Sequence, residues 1–182
     1  MKFIQYTLAL LLSHSLCACD ASSSPTRATR FKKDEYSLAI VGYNYTSRYI
    51  DQFSVNGAGG GNIYVSSPTS GGGGSVCCST FFPDAPNLKM KVRWQSGACR
   101  YISFVSKEGE KTWSHHLFFK EREVTPIIET VAEPAFMEVH IYPDDHVEAV
   151  VTSAMSAPRV KLQEDRDLDP EYPRCPNDQK PR

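Results

Sequence analysis

Residues 36–45 read Tyr-Ser-Leu-Ala-Ile-Val-Gly-Tyr-Asn-Tyr, an uncharged run whose aliphatic and aromatic side chains occupy both sets of alternating positions. Aromatic and β-branched residues favour extended backbone. Apolar side chains on both faces are typical of a strand buried in the middle of a sheet. The run therefore predicts a central strand.

The segments around this strand predict more of the same sheet. Residues 48–55 alternate apolar Tyr49 and Phe53 with polar neighbours, and Asn56-Gly57 is a hairpin turn signal. Residues 89–94, Lys-Met-Lys-Val-Arg-Trp, predict a half-buried strand with a basic outer face. Further strands are expected at 113–119, 123–129, 136–142 and 147–151, where Pro126 limits the second to an edge or a bulge.

Short strands separated by regular turns predict an all-β fold, an antiparallel β-sandwich or an open barrel. We expect this disulfide-containing domain to span residues 34–156. Residues 157–182 are charged and proline-rich, which predicts an irregular, extended C-terminal tail.

Glycine is concentrated in one part of the chain. Eight of the eleven glycines lie between residues 57 and 74, in the runs 57–61 and 71–74. Because glycine has a high entropic cost of ordering, we expect two loops that are mobile or held by a partner. A nucleotide-binding loop is disfavoured because no helix pattern follows either run.

The N-terminus has the features of an export signal. Lys2 precedes about ten apolar residues, too few to span a bilayer, and the run ends in Leu16-Cys-Ala-Cys19. This resembles a bacterial lipobox, so we expect a lipoprotein signal peptide over residues 1–18 and acylation, for example with palmitate, of Cys19. An ordinary cleaved signal is the alternative.

Lipidation would anchor the chain to a membrane and place it in the periplasm, on the inner or the outer membrane. Residues 19–33 are rich in Ser and Thr and predict a flexible tether with a reach of roughly 20 Å. From Cys19 onward the chain has 19 basic and 21 acidic residues. This near-neutral balance argues against nucleic acid as a partner.

Four cysteines remain for an oxidising compartment: Cys77, Cys78, Cys99 and Cys175. A bond between adjacent Cys77 and Cys78 is disfavoured because it closes an eight-membered ring. We therefore expect one of this pair to bond Cys99 and the other Cys175. Zinc is the competing interpretation, but adjacent cysteines lack the usual ligand spacing.

Catalytic and metal sites have weak support. Ser75 follows four glycines but lacks the second glycine of a nucleophile elbow. His140 and His146 flank a Pro-Asp-Asp turn that offers metal ligands or a base, although a solvated hairpin explains the same residues. We expect no enzyme activity, cofactor or metal.

A group of tyrosines and polar residues near the glycine runs favours protein binding instead. Tyrosine and arginine are enriched at interface hot spots, and binding residues concentrate near loops. The candidate partner-binding residues are Tyr43, Tyr45, Arg48, Tyr49, Asn62, Tyr64, Gly72 and Gly73.

Several of these motifs also resemble a known family. The runs 43–50, Tyr-Asn-Tyr-Thr-Ser-Arg-Tyr-Ile, and 70–78, Ser-Gly-Gly-Gly-Gly-Ser-Val-Cys-Cys, followed by Val92-Arg-Trp94, resemble the domain-of-unknown-function family 3304 of bacterial lipoproteins. Its members are often associated with phospholipase effectors of the type VI secretion system.

The resemblance implies an immunity protein that binds and neutralises a cognate secreted phospholipase. Two alternatives remain open: an envelope structural or assembly lipoprotein without a toxin partner, and a hydrolase using Ser75 or a His/Asp cluster.

Overall fold

The computed structural model describes residues 31–130, 132–164, 166, 168–169 and 171–182. The predicted signal peptide, Cys19 and nearly all of the predicted tether lie outside these residues. Among the described residues, no helix is long and apolar enough to cross a bilayer.

The described chain is almost entirely β. Its nine strands are β1 Tyr36–Asn44, β2 Ile50–Val55, β3 Ala58–Ile63, β4 Gly72–Phe81, β5 Met90–Val105, β6 Lys111–Val124, β7 Ile127–Ile128, β8 Phe136–Ile141 and β9 Val147–Thr152. A short 3-10 turn, Pro176–Asp178, follows in the tail. The all-β class is confirmed.

The strands form one sheet in the order β6-β5-β2-β3-β4-β1-β8-β9-β7. Neighbouring pairs are antiparallel except β1–β8 and β7–β9, so the sheet is mixed rather than wholly antiparallel. The sheet curls into a half-barrel, because side chains from both of its halves meet in one core. That core includes Leu38, Ile40, Phe53, Trp94, Val139 and Val151.

The central strand is confirmed, since β1 pairs with β4 on one side and β8 on the other. Alternation in β5 is also as predicted: Met90, Val92 and Trp94 are buried while the basic residues between them are exposed. The strands expected at 113–119 and 123–129 are instead one long strand, β6, which ends just before Pro126, and the two-residue β7.

The expectation that the glycine runs are loops is wrong. Gly59 to Gly61 lie in β3, and the second run enters β4 at Gly72. Glycine is needed there for close approach. A Cβ on Gly60 would lie 2.1 Å from the Phe53 ring, and one on Gly72 would lie 2.0 Å from the carbonyl oxygen of Tyr64. Packing thus fills the space that a side chain would occupy.

The predicted disulfide pairing is also wrong. Cys77 bonds its neighbour Cys78 within β4, and Cys99 of β5 bonds Cys175 of the tail. A cis peptide joins the adjacent pair. The tail is nevertheless attached to the sheet through Cys175, as expected.

Candidate functional site: a tyrosine cleft

The first wall of the site is a tyrosine pair produced by the β2–β3 hairpin. Ile50 pairs with Ile63 at the open end of this hairpin, so Tyr49 and Tyr64, the next residues outward, lie side by side. Their ring centroids are 5.1 Å apart. Asn62 donates an amide hydrogen bond to the Tyr49 hydroxyl at 2.5 Å. The pair is well exposed, with 37% of Tyr49 and 66% of Tyr64 open to solvent.

The opposite wall comes from the C-terminal tail, where Tyr172 is held by several contacts. Its hydroxyl accepts a hydrogen bond from Gln95 Nε2 at 2.9 Å and donates one to the Tyr49 carbonyl at 3.3 Å. The Arg48 guanidinium carbon lies 4.9 Å from the Tyr172 ring centroid, a cation–π contact. Burial raises the pKa of Tyr172, which keeps the hydroxyl neutral.

Asp169 fixes the same tail segment beside the cleft. Its carboxylate is 3.0 Å from Arg48 Nε and accepts a 2.5 Å hydrogen bond from the Ser47 hydroxyl. Its backbone N–H donates to the Ser47 carbonyl at 3.1 Å. These contacts satisfy the charges locally and hold a segment that has no regular secondary structure.

We call the space between these walls the tyrosine cleft. Its volume is about 440 Å³, and its lining is mainly apolar with a few charged groups. The lining residues are Ser47, Arg48, Tyr49, Tyr64, Val65, Leu168, Asp169, Glu171 and Tyr172. A more polar cleft of about 200 Å³ adjoins it and shares five of these residues. The arrangement suits a protruding group with an apolar body and a polar edge.

The structure brings four of the eight candidate binding residues together at this cleft: Arg48, Tyr49, Asn62 and Tyr64. Tyr43 and Tyr45 are buried on the other side of β1 from the core. Gly72 and Gly73 lie in β4, where Gly73 pairs with Ile63.

The buried tyrosines belong to a polar layer on the outer side of β1 and β8. The Tyr43 ring stacks on His140 with centroids 4.3 Å apart, and the Tyr45 hydroxyl lies 2.9 Å from His140 Nδ1. Glu138 is also fully buried and accepts a 2.6 Å hydrogen bond from the Ser156 backbone N–H. We call Tyr43, Tyr45, Glu138 and His140 the buried polar layer.

Electrostatics in this layer favour a charged carboxylate. Burial alone would raise the pKa of Glu138, but His140, 3.4 Å away, and the Ser156 N–H together hold this pKa below its usual value. Burial raises the pKa of both Tyr43 and Tyr45. The tyrosine hydroxyls therefore remain hydrogen-bond donors beside an ionised glutamate.

The residues considered for catalysis and metal binding lie in different environments. Ser75 is exposed on β4 opposite Val41. His140 is enclosed in the buried polar layer, whereas His146 is exposed and lies 3.4 Å from Glu148. Within the described part of the chain, no three His, Cys, Asp or Glu side chains are grouped to hold a metal ion.

Sequence reasoning missed the tail wall of the cleft, Leu168, Asp169 and Tyr172. The available signal was Cys175, because a cysteine that attaches the tail to the sheet also brings Tyr172, three residues earlier, against it. The cysteine spacing does not predict which cysteine bonds Cys175. The sequence therefore does not predict where in the fold the tail wall lies.

The fold and the cleft define an all-β, disulfide-containing domain with an exposed, tyrosine-lined cleft. The chain belongs to the family described as "Protein of unknown function (DUF3304)", whose model matches residues 43–149, more than half of its length. The matched range includes Arg48, Tyr49, Asn62 and Tyr64, while the tail wall lies outside it. No curated protein and no solved structure matches the chain.

Proposed function

We propose that this chain is a periplasmic, lipid-anchored immunity protein that binds and neutralises a secreted phospholipase effector of the type VI secretion system. The observation that carries the binding role is the exposed Tyr49–Tyr64 pair at the mouth of the tyrosine cleft. Large exposed aromatic side chains in a preformed cleft provide contact area at low entropic cost. The contacts of Asn62 and Tyr172 with Tyr49 support preorganisation.

The envelope location rests on the lipobox-like sequence ending at Cys19 and on the even number of cysteines after it. Both disulfides of the fold suit an oxidising compartment. A lipid anchor would hold the domain at the membrane surface where a phospholipase acts, which raises its effective concentration there. The choice of a phospholipase comes from the association of the resembled lipoprotein family with such effectors.

The test is protection of a bacterial host. We would express type VI secretion phospholipase effectors from the same genome, one at a time, in the periplasm of a host with and without the full-length chain, and measure growth. We expect growth to be rescued by the wild type and not by the Tyr49→Ala/Tyr64→Ala variant.

Phe82→Ala is the matched control, because Phe82 is half exposed and does not line the cleft. It should protect as well as the wild type. Growth arrest despite export of the wild-type chain, or no complex between purified domain and phospholipase, would exclude the proposed function. Protection by the double tyrosine variant would exclude the cleft as the contact.

A further inference from the structure

One edge of the sheet is a long strand that has a neighbour on one side only. β6 is the first strand in the sheet order, so within the described chain only β5 pairs with it. At its C-terminal end β6 approaches the β8–β9 hairpin, where Lys120 forms an ion pair with Asp145. Residues 111–119 precede this contact, and we call them the free edge.

The hydrogen bonds of β5 show which backbone groups of the free edge point outward. Arg100 donates its N–H to the Pro173 carbonyl and accepts from the Cys175 N–H, both at 2.8 Å, so both of its backbone groups point away from β6. Arg100 is paired with His115. Two residues opposed in an antiparallel pair either exchange both bonds or direct both groups to the other side. His115 therefore directs its N–H and C=O away from β5.

The same alternation extends along the free edge. Trp113 and Leu117, two residues before and two after His115, also direct their backbone groups outward. The carbonyls of Thr112 and Phe118 point the opposite way, since serine hydroxyls of β5 donate to them at 3.1 and 3.4 Å. Among the described residues, no backbone hydrogen bond from another segment reaches the three outward-facing residues. They form an open template for a further strand.

The free edge lacks the features that usually prevent a strand edge from pairing. Exposed edge strands are commonly very short or carry proline or charged side chains. The strand at the other edge of the sheet, β7, has two residues and follows Pro126. Residues 112–119 instead read Thr-Trp-Ser-His-His-Leu-Phe-Phe, without proline, Lys, Arg, Asp or Glu. Phe118 in this stretch is 43% exposed.

We propose that the free edge pairs antiparallel with the free edge of a second copy of this chain, so that two half-barrels form a symmetric dimer through β6. Such a pair has a two-fold axis perpendicular to the sheet, so the numbers of opposed residues have a constant sum. Complete overlap of residues 111–119 puts His115 opposite His115 of the other copy and Trp113 opposite Leu117. These are the residues with outward backbone groups, so each opposed pair exchanges two hydrogen bonds.

The side chains are complementary in the same register. Thr112 stands opposite Phe118 of the other copy, so the exposed ring gains a neighbour on each side of the axis. No opposed pair within the overlap carries like charges, and just beyond it Glu110 stands opposite Lys120. The edge is thus complementary to itself in hydrogen bonding and in charge. This self-complementarity is the reason to assign a second copy rather than a strand of another protein.

The expected dimer is weak and reversible. Each copy contributes a single strand segment, residues 111–119, whereas a standard interface has about 20–30 residues a side. We therefore expect dissociation in the micromolar to millimolar range. Because the axis is perpendicular to the sheet, Tyr172, which packs edge-on against His115, lies on the same side of the sheet in both copies. The inference does not depend on a phospholipase.

The first test is sedimentation equilibrium of the full-length chain from roughly 10 μM to 1 mM, the range in which small interfaces associate. Cys17→Ser/Cys19→Ser is the background, because it prevents acylation and leaves no unpaired cysteine. His115→Pro should weaken association about tenfold or more, since it removes the central outward N–H while a proline at an edge leaves the bonds to β5 intact. Phe82→Ala, a change at an exposed residue outside β6, is the control and should associate like the background.

The second test fixes the register by cross-linking. Opposed residues that exchange hydrogen bonds have Cα atoms about 5.5 Å apart, within the range that a disulfide spans. In the same background, mild oxidation should link His115→Cys chains into dimers on a non-reducing gel and leave Phe82→Cys chains unlinked.

Three results would overturn the dimer: a monomer at every concentration, equal association of His115→Pro and its background, or no cross-link through position 115. Circular dichroism shows whether His115→Pro keeps the β fold. If it does not, the cross-link decides alone, and its absence is sufficient to reject the proposal. The proposed function stands or falls separately, because neither test contains a phospholipase.

Discussion

At the residue scale, Gly60 shows that a glycine in a glycine-rich run can be required for close packing. Phe53 places its ring directly above the Gly60 backbone, 2.1 Å from where a Cβ would stand. Gly59 is its neighbour in β3 and has open space around the same position. Identical substitutions at adjacent glycines therefore meet opposite environments.

We predict that Gly60→Ala lowers the free energy of unfolding by about 1–3 kcal/mol, because the methyl group forces Phe53 out of its packed position. Gly59→Ala should change it little. Urea denaturation of both variants checks this. Equal stability of the two variants would show that the β2–β3 contact is not closely packed.

Glu138 is the residue whose environment differs most from that of an ordinary surface carboxylate. Its folded-state pKa is below the unfolded value of about 4.3, so its contribution to stability is present above that pH. The contribution is lost as pH falls through the folded pKa. The lowered pKa of Glu138 therefore predicts that the free energy of unfolding falls in acid as this carboxylate is protonated.

Glu138→Gln should therefore lower stability at neutral pH by about 1–3 kcal/mol and remove part of the loss seen on acidification below pH 4.3. Glu123→Gln, an exposed change on β6, is the control and should follow the wild-type pH profile. Denaturation midpoints measured from pH 7 to pH 3 check the prediction. Parallel pH profiles for wild type and Glu138→Gln would contradict the assignment.

At the scale of elements, the tail wall of the tyrosine cleft depends on a covalent link. Cys99 and Cys175 are 76 residues apart in sequence, whereas Cys77 and Cys78 are adjacent. A bond across a long loop restricts the unfolded chain, and a bond between neighbours restricts it very little. The two disulfides should therefore differ greatly in their contribution to stability.

We predict that Cys99→Ser/Cys175→Ser lowers the free energy of unfolding by about 2–4 kcal/mol and increases amide exchange in residues 168–178. Cys77→Ser/Cys78→Ser should have a smaller effect and leave that segment protected. Chemical denaturation and hydrogen exchange measure both. Unchanged protection of residues 168–178 in the first variant would show that Arg48, Gln95 and Arg100 hold the wall without the bond.

Elements with a local signature were predictable from sequence. β1 follows from its apolar residues on both faces, the first part of β5 from alternation, and the β8–β9 hairpin from its Pro-Asp-Asp turn. Asn56-Gly57 marked the turn after β2, but the glycine run that follows was expected to be a loop, so β3 was not predicted. The parallel β1–β8 pairing was not, because it joins residues about 97 positions apart, as in Gly42 with Val139. For the same reason, only one wall of the tyrosine cleft has a signal in the local sequence. Tyr49 and Tyr64 belong to one hairpin, whereas the other wall comes from the distant C-terminal tail.

At the scale of the whole molecule, the half-barrel has two covered sides. Its concave side encloses the hydrophobic core, and the buried polar layer lies on the outside of β1 and β8. Residues 153–164 together with Arg166, which we call the strap, cross this outer side. Leu162 packs against the aromatic rings there, and the Arg159 N–H donates to the Tyr45 hydroxyl at 2.8 Å.

The strap makes the tail part of the folding unit, although the family model ends at residue 149. Arg166 donates to the carbonyls of Tyr45, Thr46 and Ser66 at 2.6, 2.9 and 3.0 Å. Without these donors, buried acceptors would lose their partners, and exposing such groups to imperfect solvation is unfavourable.

A chain that ends at Ala157 and carries Cys99→Ser should therefore be less stable than the full-length Cys99→Ser/Cys175→Ser variant by about 1–3 kcal/mol. Both proteins lack the long-range disulfide, so the difference reports the contacts of residues 158–182, which are those of the rest of the strap and of the tail wall. Thermal and urea unfolding measure the difference, with far-UV circular dichroism to confirm a β fold in each. Coincident unfolding curves would mean that the Tyr45 hydroxyl and the carbonyls bound by Arg166 are satisfied by water when uncovered, so that the half-barrel is complete at β9 and residues 158–182 add no stability of their own.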